Sequence, residues 1–243
     1  MATIAIYSMK GGVGKTTLAV NLAWCAAMLS SRRTLLWDLD PQAAATFLAQ
    51  EGKRPKRRAE GVYEQEVKPG KLIRPTATER LDLLAADASL RDLDQMFFSF
   101  GKKKRLAKII ENVARDYDRI ILDCPPGLTE TSDQIIRAAD LVLVPVIPSP
   151  LSVRAFDTVV DHIERHHKGR TAILPVFTMV DMRRTLHREA LDAQKRWPVI
   201  PYASVVEQMA RRREPLGDFG LRTPAGQAFA KLWRGVERKI ARG

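Results

Sequence analysis

The chain of 243 residues is long enough to bury one sizeable core, and a single domain over 1–243 is expected. It carries no signal peptide, no lipidation motif and no apolar run of about 18 residues, which excludes secreted and membrane-spanning classes and implies a soluble cytoplasmic protein. The formal net charge of +12 points to an anionic partner, and the two cysteines, Cys25 and Cys124, make neither a disulfide framework nor a metal pattern.

The first apolar run, 2–7, reads as a buried strand and opens onto Lys10-Gly-Gly-Val-Gly-Lys-Thr-Thr17. This stretch is a phosphate-binding loop in variant form, since the pattern G-x-x-x-x-G-K-[ST] would put glycine where Met9 stands. Gly11, Gly12 and Gly14 permit a tight turn, so the backbone from Gly11 through Val13 to Thr17 can aim N–H groups at anionic oxygens. A helix over 15–30 adds the positive end of its dipole. Lys15 would reach the β- and γ-phosphates of ATP, and the Thr16 hydroxyl would ligate Mg²⁺.

The next strand, 33–38, leads into Asp38-Leu39-Asp40-Pro41-Gln42. Carboxylates two apart share one side of a strand, so one of them can orient an attacking water. A helix follows over 42–50, and residues 51–80 then break the rhythm. The charge run Lys53–Arg58 and the Pro69-Gly70 turn predict an exposed insertion there. A strand over 81–85, helices over 89–98 and 103–115 and a strand over 118–123 come next, with Lys102–Arg105 read as a solvated helix start. That last strand delivers Asp123-Cys124-Pro125-Pro126, and Asp123 suits the Mg²⁺-side carboxylate of a P-loop NTPase, with Asp38 beside it. A lone aspartate at a strand end reads equally well as a helix cap. Asp38, Asp40 and Asp123 together, at the sheet edge where open parallel sheets bind ligands, favour catalysis.

A helix over 129–139 and a strand over 140–146 follow, the latter running into Pro145, Pro148 and Pro150. The remaining elements are a helix over 151–166, a strand over 171–177, a helix over 184–196, a strand over 198–201 and helices over 204–212 and 224–241. His162 and His166 share a helical face, but no third ligand accompanies them in sequence, and His162, His166 and His167 read as surface histidines. Regular alternation of strand and helix predicts an α/β fold, a mostly parallel twisted sheet with helices on both faces, of P-loop NTPase type.

Lys10–Thr17, Asp38–Gln42 and Asp123–Pro126 together resemble the deviant Walker A, switch I and Walker B segments of the ParA/MinD family of ATPases. Thr178-Met-Val-Asp181-Met-Arg183, Ile200-Pro201, Arg213-Glu-Pro215 and Thr223-Pro-Ala-Gly226 resemble the ParA branch, so the likeness runs over nearly the whole chain. It implies a weak Mg²⁺-dependent ATPase that closes into a homodimer with ATP. Lys10, the family's additional lysine, would reach the partner's phosphates, and Asp40 would position the water. It also implies non-specific DNA binding, a nucleoid-associated location, and a ParB-like or cargo-adaptor protein that stimulates hydrolysis. The cargo would be a chromosome, a plasmid or a protein assembly. With the first strand starting at residue 2, no N-terminal DNA-reading domain is expected.

From Arg183 onward there are 14 Lys/Arg against 6 Asp/Glu, so a quarter of the chain holds two-thirds of the charge excess. Arg183, Arg184, Arg211, Arg212, Arg213, Arg234 and Arg238 are the candidate DNA contacts, and no base-reading module accompanies them. The basic amphipathic helix with Ala225, Phe229, Leu232, Trp233, Val236 and Ile240 on one face is expected to pack on the sheet. Its alternative, lying on a membrane surface, would give a MinD-like cycling ATPase. A metabolic P-loop enzyme of similar fold, reductase-like or synthetase-like, is the third class.

Overall fold

The computed structural model describes residues 1–50, 52, 58–101, 104–167 and 171–242. Eight strands form one sheet in the order β3-β4-β2-β5-β1-β6-β7-β8, with β1 Ala2–Ile6, β2 Thr34–Asp38, β3 Ile73–Pro75, β4 Leu81–Leu84, β5 Arg119–Asp123, β6 Leu141–Val146, β7 Ala172–Val180 and β8 Val199–Pro201. Every pairing is parallel except that of β3 with β4. The expected fold class is what the chain adopts. The central strands β1, β2, β5 and β6 are buried from end to end, because helices cover both faces, and this is why they read as continuous apolar runs.

Alternate residues of each strand serve opposite faces. Ile4, Ile6 and Leu36 join the cluster under α1 (Lys15–Leu29), α9 (Ser204–Arg212), α10 (Leu216–Gly220) and α11 (Pro224–Ile240). Ala5, Tyr7, Leu35 and Trp37 join the cluster under α3 (Glu60–Tyr63), α4 (Leu93–Phe100), α5 (Arg105–Glu111), α6 (Glu130–Ala138) and α7 (Pro150–His167). The remaining helices are α2 (Ala44–Ala49) and α8 (Thr185–Ala193). α1 is apolar almost all round, and Leu18 to Ala27 are buried without a break. It lies between the sheet and α11, so it has no solvent face to supply.

α11 packs as expected. Ala225, Phe229, Leu232, Trp233 and Val236 are buried, and Trp233 Nε1 donates to Ser30 Oγ at 2.8 Å. Its apolar face is thereby used up inside the molecule, and no described helix is long and apolar enough to cross a membrane.

Two expectations are corrected. The stretch read as an exposed insertion buries Ala59, Val62, Tyr63, Val67 and Leu72 in the core and adds the edge strand β3. Trp37 Nε1 donates to Tyr63 Oη at 2.9 Å, so this segment is anchored to the centre of the sheet. Glu51 and 53–57, most of the charge run, lie outside the described residues. Arg105, read as solvated, is buried, with its guanidinium donating to the Tyr63 carbonyl and stacking on Phe100, while Lys102 and Lys103 lie outside the described residues.

Candidate functional site

The carboxyl ends of β1, β2 and β5 converge because their registers align: Asp38 is opposite Asp123, and Asp123 is opposite Ile6. The loop leaving β1 turns through Gly12 at φ 72° and Gly14 at φ 88°, left-handed conformations that a side chain would strain. Gly14 caps α1, whose first residue is Lys15. Thr178 on β7 braces the turn from the other side, its hydroxyl donating to the Val13 carbonyl at 2.9 Å.

Inside this frame Thr16 Oγ1 donates to Asp123 Oδ2 at 2.7 Å, joining loop and strand across 107 residues of sequence. Asp123 Oδ1 is buried and has no hydrogen-bond partner among the described residues. Burial raises the Asp123 pKa well above its ordinary value, and the nearby Asp38 carboxylate adds to the rise. Lys15 is buried too, which lowers its pKa against the pull of Asp123. Its ammonium donates to the Lys10 carbonyl at 3.0 Å. A lysine, a hydroxyl and a carboxylate with a spare oxygen make a donor set that suits a divalent cation and phosphate oxygens.

Asp38, expected beside a metal with Asp123, has both carboxylate oxygens engaged in hydrogen bonds. Its Oδ1 accepts from the Asp40 N–H at 3.1 Å, and its Oδ2 accepts from both the N–H and the hydroxyl of Thr46 at 2.8 Å. Thr46 Oγ1 in turn accepts from the Ala86 N–H at 2.9 Å. Asp38 is thus a buried brace for the turn into α2, close to the helix-capping use of an aspartate. Burial pushes its carboxyl up to about 6.

Asp40 stands nearer solvent, accepting from the Gln42 N–H at 2.9 Å. With Gly11, Gly12, Gly14, Lys15, Thr16, Thr17, Pro41, Gln42, Pro125 and Pro126 it lines a cavity of about 520 Å³. Lys10 does not line it. An adjoining, mostly apolar cavity of about 270 Å³ shares Gly14 and Thr17 and is walled by Met179, Pro201, Tyr202, Ala203 and Val206. Sequence reasoning missed this second cavity. Its one signal was that Thr178–Asp181 and Ile200–Pro201 are strand ends at the same sheet edge.

The candidate DNA contacts line more than one groove. Arg212 and Arg213 line a groove beside α10, and Arg238 lines another of about 650 Å³ together with Lys195, Arg196, Lys231 and Lys239. Arg183 grips Asp181 with two bonds of 2.8 and 2.9 Å. Arg213 donates to the Phe47 and Gln50 carbonyls at the end of α2, at 3.0 and 3.1 Å, and stacks on Phe47. Arg184, Arg211 and Arg234 are exposed. Lys195, Arg196 and Lys231 were missed, because only the fold brings the end of α8 against α11.

A family model described as an AAA domain matches residues 1–174. The sporulation initiation inhibitor protein Soj of Bacillus subtilis is 30% identical over 200 residues, covering 80% of this chain and 79% of Soj. An ATP complex of a McdA variant from Cyanothece superposes with a TM-score of 0.85 at 23% identity, covering 99% of this chain and 96% of that one. The cell division ATPase MinD of Pyrococcus furiosus superposes at 0.80 with 22% identity, covering 98% of each chain. At such identities the two structural likenesses establish the fold, and the family rests on the sequence matches. The phosphate loop, the two aspartate-bearing strand ends and these matches agree: the chain belongs to the ParA/MinD family of deviant Walker A P-loop ATPases, the partitioning ATPases to which Soj and ParA belong.

Proposed function

We propose that this chain hydrolyses Mg-ATP slowly, dimerises face to face when ATP is bound, binds DNA without sequence preference, and positions or segregates a cargo through that cycle. The observation that carries this reading is the Thr16–Asp123 bond beside a cavity that Thr16, Lys15 and Asp40 line. Thr16 and the free Oδ1 of Asp123 would hold Mg²⁺, which supplies charge neutralisation at the β- and γ-phosphates. Lys15 would exchange its bond to the Lys10 carbonyl for phosphate oxygens. The apolar cavity beside Gly14 and Thr17 suits the adenine ring. Asp40 would orient a water in line with the γ-phosphorus; the water's oxygen forms the new P–O bond as the bond to ADP breaks, releasing ADP and phosphate. Asp38 acts through the turn that it braces and is a positioning residue.

Dimerisation is supported by exposed apolar side chains around the same sheet edge: Leu128, Leu151 at 68% exposure, Met182, Leu186 and Tyr202 at 55%. Lys10, which stands outside its own cavity lining, is free to cross to the partner's phosphates. ATP then becomes part of the interface and favours the dimer by differential contacts. Doubling the basic surface adds phosphate contacts, and hydrolysis releases them. A nucleoid-associated, cytoplasmic protein stimulated by a ParB-like or cargo-adaptor partner follows from this cycle. The covered apolar face of α11 disfavours a membrane-cycling role through that helix.

The test is size-exclusion chromatography with ATP and Mg²⁺. Wild type should elute as a dimer, whereas Lys10→Ala should remain monomeric while keeping most of its nucleotide affinity. A Lys10→Ala protein that dimerises normally sinks the cross-subunit role. Tight liposome binding without DNA binding would replace the DNA reading by the MinD-like one.

A further inference from the structure

Away from the nucleotide site, the end of α7 and the first turns of α6 bring together side chains that lie some thirty residues apart in sequence. His162 Nε2 lies 2.6 Å from Asp133 Oδ1, and His167 Nε2 lies 3.5 Å from the same oxygen. The three ligand atoms fall within 4.8 Å of one another, the one such group of three or more His, Cys, Asp or Glu residues among the described residues. His162 and His167 are therefore not the surface residues expected from sequence, whereas His166 is exposed as expected. The His167 side chain is only 2% exposed, and its Nε2 has no hydrogen-bond partner among the described residues. A buried ring nitrogen left in that state is costly unless something satisfies it.

We propose that Asp133, His162 and His167 form a binding site for a divalent transition metal of the zinc class, which clips α6 to α7. Two imidazole nitrogens and one carboxylate oxygen are a recurrent zinc donor set, at about 2.0–2.2 Å from the ion. Tetrahedral placement separates such donors by about 3.4 Å, so the short His162–Asp133 bond needs to open by less than 1 Å. The ion accepts the lone pair that His167 cannot otherwise place, and it balances the carboxylate. Asp133 is preset, because its N–H donates to the Thr129 carbonyl and a Thr129–Ser132 capping box fixes the first turn of α6. The side chains of Asp133 and His162, at 25% and 16% exposure, leave the ion a route from solvent and leave water the remaining coordination position. Arg137, one turn further along α6, adds a repulsive cation near His167 and tempers the affinity.

The clip bears on the nucleotide site through α6. That helix begins just after Pro125 and Pro126, which wall the phosphate cavity, and the Gly127 carbonyl accepts from Tyr7 Oη at 2.7 Å. Metal at Asp133 would stiffen the helix that carries this wall.

The experiment uses untagged, chelator-stripped protein titrated with zinc chloride against a chromophoric chelator, with Co²⁺ as a spectroscopic probe. One zinc per chain should bind with a dissociation constant of micromolar order or below, and Co²⁺ should give the visible absorption of a low-coordinate site. His162→Ala and Asp133→Asn should each weaken zinc binding by at least about tenfold. These partly exposed positions carry the test because His167 is buried. Lys15→Ala should bind zinc like wild type. At a hundredfold excess over the dissociation constant, zinc should raise the wild-type Tm by about 5–10 °C and that of His162→Ala by much less. No stoichiometric binding below about 100 µM, or equal binding by wild type and both folded variants, overturns the proposal. So does loss of the site in Lys15→Ala.

Discussion

Lys15, Asp38, Asp40 and Asp123 gather at one sheet edge, yet their surroundings differ. Lys15 is buried and aimed at a carbonyl that phosphate would replace. Lys15→Ala should weaken ATP binding by about 10–100-fold, the worth of one charge-assisted hydrogen bond, as measured by calorimetry. Asp40→Ala removes the group proposed to orient the water and leaves Lys15 and Thr16 in place. Phosphate release should fall by at least about a hundredfold while ATP and DNA retention rise. Wild-type turnover in Asp40→Ala would reassign the role. Asp38 is separated from both by its titration. Its folded pKa, about 6, lies above the unfolded value, so its contribution to stability is full in acid and is lost as pH rises through about 6. The stability advantage of wild type over Asp38→Asn should therefore shrink by up to about 3 kcal/mol between pH 4 and pH 7, read from nucleotide-free unfolding curves. A pH-independent difference would show that Asp38 is not held protonated.

At the scale of elements, α10 and α11 meet so closely that a Cβ at Gly226 would run into the Gly220 carbonyl and the backbone of Leu221. Gly226→Ala should cost about 1–3 kcal/mol and lower Tm by several degrees, because backbone cannot move aside as a side chain can. An unchanged Tm would mean that the junction is looser than its packing indicates. The helices with a strong 3.6-residue stripe, α6, α7 and α11, were legible from sequence because one apolar face sits against one covering layer. α3 and β3 were not. Val62, Tyr63, Val67 and Leu72 are too sparse to show a period, and their neighbours are charged or turn-forming. Their burial follows from Trp37 and Phe97 presenting ring faces and edges to Tyr63.

Over the whole molecule, the cations differ in how far they are already engaged. Arg183 and Arg213 are already engaged by Asp181 and by the α2 carbonyls. Arg211 and Arg238 have no ion pair among the described residues, and Arg238 shares its groove with four other cations. Replacing Arg211 and Arg238 by Glu should lower the affinity for two unrelated duplexes alike, by about tenfold or more, and flatten the log–log salt slope by about 2 per protomer. ATP binding should be untouched. Arg213→Glu should instead lower Tm, since it unties α9 from α2. A preference for one duplex, or binding insensitive to salt, would exclude phosphate contacts as the basis.

The phosphate loop, the aspartates at strand ends and the alternation of strand and helix were fixed by the sequence itself. Each depends on neighbours within a few residues, where backbone geometry and side-chain period act directly. The tertiary structure alone decided that Thr16 meets Asp123 across 107 residues, and that Asp38 turns its oxygens to Thr46. It alone brings Asp133 to two histidines and Lys195 to the cations of α11. A period in sequence tells which face of an element is apolar, but not what covers it. Partners across the fold are set by strand order and helix packing, which no local stretch encodes.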